Sequence, residues 1–126
     1  MYEIGVVAQF EAAHRLVGDF GPAARMHGHT YRLEVIVRGE RLDGLNVLYD
    51  IGRLREEVDA LAGRLSYRDL NEAPGLEGVN TTAEAMARFC WEALAPGLAG
   101  GGLASLAVRV WESPQVWAGL DAALAR

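Results

Sequence analysis

The feature that most constrains this chain is a period of two in its opening segments. From Tyr2 onward, Ile4, Val6, Ala8, Phe10 and Ala12 fall on even positions while Glu3, Gln9 and Glu11 alternate with them. An extended chain points successive side chains to opposite faces, so the run predicts a half-buried strand. A second run alternates Tyr31, Leu33, Val35 and Val37 with Arg32, Glu34 and Arg38, and it is rich in the β-branched residues that strands favour. Histidine follows the same parity. His14 lies on the apolar face of the first run, and His27 and His29 join that of the second when it is extended backward. These three are the only histidines in the chain, and they fall within sixteen residues. The connection between the runs, RLVGDFGPAAR, is marked by glycine and proline and is longer than a simple hairpin turn.

The spacing then changes. Asp50 is placed to cap a helix whose apolar positions Ile51, Leu54, Val58, Leu61 and Leu65 lie three or four apart. SYRDLNEAPGLEGVN reads as an irregular connection. Thr81, Thr82, Ala83 and Glu84 match a Ser/Thr-x-x-Glu capping box, which predicts a second helix through Met86, Phe89, Cys90 and Ala93 that ends by about Pro96. After the turn GLAGGG, Leu106, Val108 and Val110 alternate with Ala107, Arg109 and Trp111, and Glu112 ends this strand on its apolar parity. Residues 116 to 120 are expected to return as a hairpin across Ser113, Pro114 and Gln115. The predicted order is ββααββ, an α+β fold without solenoid-type repeats.

A chain of 126 residues fits a single domain spanning 1–126, and its 51% hydrophobic content is that of a globular protein. The net charge of −5 argues against nucleic acid, because phosphate neutralisation needs a basic face. A single cysteine, Cys90, rules out an internal disulfide and suits a reducing cytoplasm. Glu3 stands where a signal peptide would be basic, and the apolar stretch around it is too short for a membrane segment.

Residues two apart on a strand point the same way, so His27 and His29 can present both imidazoles to one point. Antiparallel pairing of the first two strands brings His14 beside them. Three neutral imidazoles suit Zn²⁺ and leave a coordination position open, which is the arrangement of a catalytic rather than a structural site. The plainer reading is that these are ordinary hydrogen-bonding histidines.

The segments FEAAH, HGHTY, YDIGRL, LSYRDLNE, NTTAE and VWES occur in this order along nearly the whole length. On these motifs the chain resembles the 6-pyruvoyltetrahydropterin synthase and 6-carboxytetrahydropterin synthase family. The resemblance implies a tunnelling fold: a four-stranded antiparallel sheet with two helices on one face, closed into a barrel by homo-oligomerisation as a trimer or hexamer. It implies Zn²⁺ held by His14, His27 and His29, and a pterin substrate, 7,8-dihydroneopterin triphosphate, which loses triphosphate as its side chain rearranges. Glu112 matches the glutamate that anchors the pterin ring; two oxygens in a plane can receive two parallel N–H bonds, although a strand-end glutamate in solvent is the plainer alternative. Thr81 and Thr82 lie where the family approaches the pterin, and helix capping explains at least one of them without a ligand.

The chain departs from the family at its proton-transfer groups. Ala23 stands where a cysteine precedes HGH by four residues, and Ser66 and Tyr67 replace an Asp-His pair. Tyr67 and Asp69 are the candidate substitutes, with Glu72 and Asp19 as further carboxylates in the same loops. Losing a positioned general base typically costs about 10²- to 10⁴-fold in rate. The expected function is therefore a zinc-dependent pterin synthase-like lyase of weak or altered activity; the alternatives are a catalytically impaired zinc- and pterin-binding protein and a purely structural barrel subunit. The pathway is left open among tetrahydrobiopterin, queuosine and folate-related routes.

Overall fold

The computed structural model describes residues 1–125. The strands and α-helices follow in the order β1 (Tyr2–His14), β2 (His27–Gly39), α1 (Ile51–Leu65), β3 (Arg68–Asp69), α2 (Ala83–Leu98), β4 (Ser105–Ser113) and β5 (Val116–Ala123). β1 and β2 pair antiparallel along their full length, from Tyr2 opposite Gly39 to His14 opposite His27. The observed burial repeats the sequence period: Val6, Ala8, Phe10, Ala12 and His14 are buried from β1, and Tyr31, Leu33, Val35 and Val37 from β2. The register satisfies both patterns at once. A slip of one residue would turn either set into solvent.

β4 pairs with the other side of β2, with Val108 opposite Val35, and β5 returns along β4 as the outer strand. The sheet order is β3-β1-β2-β4-β5. The four long antiparallel strands are those expected from the alternation, and β3 is an addition, pairing parallel with Ala12 and Ala13 of β1. Two residues carry no readable period. The segment is turned into place by Tyr67, whose φ of 58° is left-handed and whose N–H donates to the carbonyl of Glu11. The sheet is therefore mixed rather than wholly antiparallel.

Both helices cover the same face and close one core. Leu54, Val58 and Leu61 of α1 and Met86, Cys90 and Leu94 of α2 join Phe10, Leu33, Val35, Val108 and Val110 in a continuous apolar cluster. Each fully buried aliphatic or aromatic side chain of this kind contributes roughly 1.5–3 kcal/mol. Phe10 stacks on Tyr31 across the β1–β2 ladder, with ring centroids 4.8 Å apart and planes inclined by 10°. Burial in α2 pushes the Cys90 thiol up to about 12, so it is an inert apolar group.

Three boundaries differ from the sequence reading. α1 starts as expected, with Asp50 accepting from the N–H groups of Gly52 (3.0 Å) and Arg53 (3.2 Å). The cap of α2, however, is Thr82 rather than Thr81: its hydroxyl accepts from Ala85 at 3.1 Å, which shifts Glu84 out of the capping-box position. α2 also runs through Pro96 to Leu98. Proline removes one N–H from the last turn, but burial of Leu98 and the bond from Ala99 N–H to Ala95 O (3.0 Å) carry the helix past it. β5 extends to Ala123 because Ala122 and Ala123 still pair with Leu106 and Ser105.

Candidate metal and ligand site

The register of β1 on β2 decides the site. It sets His14 opposite His27 and Ala12 opposite His29, so the three imidazoles crowd one corner of the sheet. One ring nitrogen from each lies within 4.8 Å of the others. His14 is fully buried, and its Nδ1 donates to the carbonyl of Thr81 at 2.8 Å. His27 Nδ1 likewise donates to the carbonyl of Arg25 at 2.7 Å. A carbonyl oxygen can only accept, so in each neutral ring the proton is on Nδ1 and Nε2 carries a lone pair. Backbone carbonyls thus select the tautomer that a metal requires, as outer-shell partners of ligating histidines do.

The Nε2 atoms of His14 and His29 are buried and have no hydrogen-bond partner among the described residues. An orphaned nitrogen in a buried site is costly, and a divalent cation shared with His27 would satisfy both. The donor set therefore fits Zn²⁺. Burial pushes the pKa of His14 below the usual 6.5, opposed by the Thr81 carbonyl bond and reinforced by His27 and His29. A lowered pKa favours the neutral ring, the form in which an imidazole ligates a metal.

Glu112 reaches the same corner from β4. The β4–β5 ladder is irregular between Trp111 and Ser113, so Glu112 sits at a bulge. Its Oε2 lies 3.2 Å from His29 Nε2 and 3.6 Å from His14 Nε2. Tyr31 stands edge-on to His29 and His14, with centroids 5.2 and 5.9 Å away. Its hydroxyl is buried without a hydrogen-bond partner among the described residues, and burial followed by the Glu112 charge raises its pKa.

The two threonines have different places. Thr81 is fully buried and meets His14 through its carbonyl and, at 3.3 Å, through its hydroxyl; Thr82 caps α2. Tyr67 is 88% exposed and lines an open groove of about 570 Å³ together with Glu11, Gly28, His29 and Asp69. The carboxylate of Asp69 accepts from Asn71 N–H at 3.0 Å, which commits it to the turn after β3. Ala23 lies in a 3₁₀ turn, Gly21–Ala24, and its carbonyl accepts from Leu16 N–H at 2.9 Å, close along the chain to His14.

Sequence reasoning missed two residues that hold the segment leaving His14. Asn71 accepts from Arg15 N–H (2.9 Å) and donates to Arg15 C=O (3.0 Å). Asn80 makes the same pair with Val17, at 2.8 and 3.0 Å. Each amide imitates a neighbouring strand and carries the edge of β1 beyond its end. Both lie inside LSYRDLNE and NTTAE, but their role needs a partner more than fifty positions away.

Residues 3–123 match the sequence profile of the family 6-pyruvoyl tetrahydropterin synthase. A 6-carboxy-5,6,7,8-tetrahydropterin synthase of Synechocystis sp. is 36% identical over 98 residues, spanning 71% of this chain and 74% of that protein. A dihydroneopterin monophosphate aldolase of Pyrococcus furiosus is 33% identical over 93 residues, spanning 74% and 75%. The structure of 6-pyruvoyl tetrahydropterin synthase from Caenorhabditis elegans superposes with a TM-score of 0.81 over 97% of this chain and 96% of that one, at 24% identity. Profile, relatives and fold agree, and the chain belongs to the 6-pyruvoyl tetrahydropterin synthase family.

Proposed function

We propose that this protein is a zinc-dependent pterin lyase of the 6-pyruvoyl/6-carboxytetrahydropterin synthase type, acting slowly or with an altered outcome on 7,8-dihydroneopterin triphosphate or a related pterin. The observation that carries the reading is the convergence of His14, His27 and His29 beside Glu112. Bound zinc supplies a Lewis acid that polarises side-chain oxygens of the substrate. The remaining work falls to the protein. Glu112 receives ring N–H groups and sets the orientation of the pterin, while Thr81 keeps the His14 ring in its ligating tautomer.

Proton transfer is where the site is weak. Ala23 has no titratable group, and Ser66 is a poor base. Tyr67, exposed beside His29, is the group left to donate a proton, and Asp69 is occupied by its turn. The aldolase relative supports a second reading, cleavage of a carbon–carbon bond in the side chain at the same site. Both readings suit a cytoplasmic protein, and the single free cysteine, Cys90, is in keeping with that setting. Both also use a homo-oligomer, trimer or hexamer, because β5 leaves an open edge with Val116 and Trp117 half exposed.

The test is metal analysis of purified protein followed by product analysis with 7,8-dihydroneopterin triphosphate. About one zinc per chain with slow triphosphate release supports the synthase reading, and release of a side-chain fragment supports aldol cleavage. Zinc and pterin binding without turnover identifies a catalytically impaired binding protein. A protein that holds no zinc after metal loading refutes the proposal.

A further inference from the structure

We infer that Glu112 is an exchangeable fourth ligand to the metal in the pterin-free protein, so that seating the pterin ring removes it and opens the coordination position. The inference rests on the zinc reading above and extends it. Glu112 Oε2 lies 3.2 Å from one imidazole Nε2 and 3.6 Å from another, yet neither nitrogen forms a hydrogen bond. On His14 the proton is committed to the Thr81 carbonyl, so Nε2 turns a lone pair toward a carboxylate oxygen. Two acceptors at that distance repel unless a cation lies between them.

The separations are those of ligands that share one ion. With bonds of about 2.0–2.2 Å, the edge of a tetrahedral zinc site is roughly 3.3–3.6 Å. The contacts of 3.2 and 3.6 Å lie at the two ends of that range. Glu112 continues the inward parity of Val108 and Val110 along β4, and the ladder irregularity lies beside it.

One carboxylate then has two exclusive partners. While it ligates the metal, the site is a closed His₃Glu set and excludes water from the fourth position. When a pterin offers its ring N–H groups, the carboxylate leaves and a position opens only when substrate is present. Linkage requires the reciprocal effect: a ligand that removes Glu112 must weaken the metal by the same factor.

The test uses Co²⁺ in place of zinc and reads its d–d absorption in the full-length protein. Wild type is expected to show a four-coordinate spectrum. Glu112→Gln should bind Co²⁺ on the order of 10- to 100-fold more weakly, at least the range that outer-shell partners command. Glu112→Asp keeps the charge but shortens the reach, so a spectrum altered in both variants separates ligation from simple attraction. Unsubstituted pterin, which lacks side-chain oxygens, should move the wild-type spectrum toward that of Glu112→Gln and weaken Co²⁺ binding. Unchanged affinity and spectrum in both variants would overturn the inference and leave a three-histidine metal site intact. Failure of pterin to bind would strike the proposed function, while the variant affinities would still decide the place of Glu112. Thermal melts of the metal-free variants show whether each is folded; a misfolded Glu112→Gln leaves Glu112→Asp and the wild-type pterin titration to decide.

Discussion

Replacing Asn71 or Asn80 by alanine tests how β1 is held beyond its end. Each amide makes two hydrogen bonds to backbone, at 2.8–3.0 Å, and both grip the stretch from Arg15 to Val17. A hydrogen bond of this kind is worth about 0.5–1.5 kcal/mol net, so each substitution should cost about 2 kcal/mol. At roughly 4 °C per kcal/mol for a chain of this size, Tm should fall by about 8 °C. The two sites share a segment. Once one clamp is gone the other holds less, and the double variant should lose about 0.5–1 kcal/mol less than the sum of the singles. Because Arg15 follows His14 directly, zinc affinity should fall about 10-fold, the lower end of an outer-shell effect. Urea denaturation of the metal-free protein and a competitive zinc titration provide the readouts. Losses below about 0.5 kcal/mol in both single variants would mean that water replaces the amides and that no clamp operates.

The metal-free protein should lose stability in acid. Burial depresses the pKa of His14 below 6.5, so the unfolded chain takes up its proton first; the contribution of His14 is complete above about 6.5 and is lost as pH falls from there through the lower folded value. Denaturant midpoints that stay level between about pH 7 and pH 5 would refute this, and His14→Gln should flatten the dependence. Thr82→Ala should cost about 1 kcal/mol through the α2 cap while sparing zinc binding, whereas Thr81→Val should leave zinc affinity close to wild type because His14 bonds to the Thr81 carbonyl. Calorimetry and zinc titration separate the two. Gly119→Ala places a Cβ 2.8 Å from the Val108 carbonyl oxygen and should destabilise the β4–β5 pair by about 1–3 kcal/mol, measurable as a lower Tm.

Much of this molecule was written in its local pattern. The alternation of Ile4 to Ala12 and of Tyr31 to Val37 determined which faces are buried, since a strand of period two has only one apolar side to hide. The same parity assigned His14, His27, His29 and Glu112 to that side. Asp50 capped α1 as its chemistry requires. Neighbours in sequence were enough for these features, because strand period and helix capping are decided within a few residues.

Other features were settled only by packing. Nothing local distinguishes Thr81 from Thr82 as a cap; the tertiary fold turned Thr81 inward onto His14 and left Thr82 at the helix end. β3 exists because Tyr67 reverses the chain against Glu11, and two residues hold no pattern by themselves. The Asn71 and Asn80 clamps and the approach of Glu112 to the imidazoles each join segments dozens of positions apart. The physical reason is common to all of them: a periodic chain specifies the face a side chain seeks, while the partner it finds there depends on strand register and on how the helices close over the sheet.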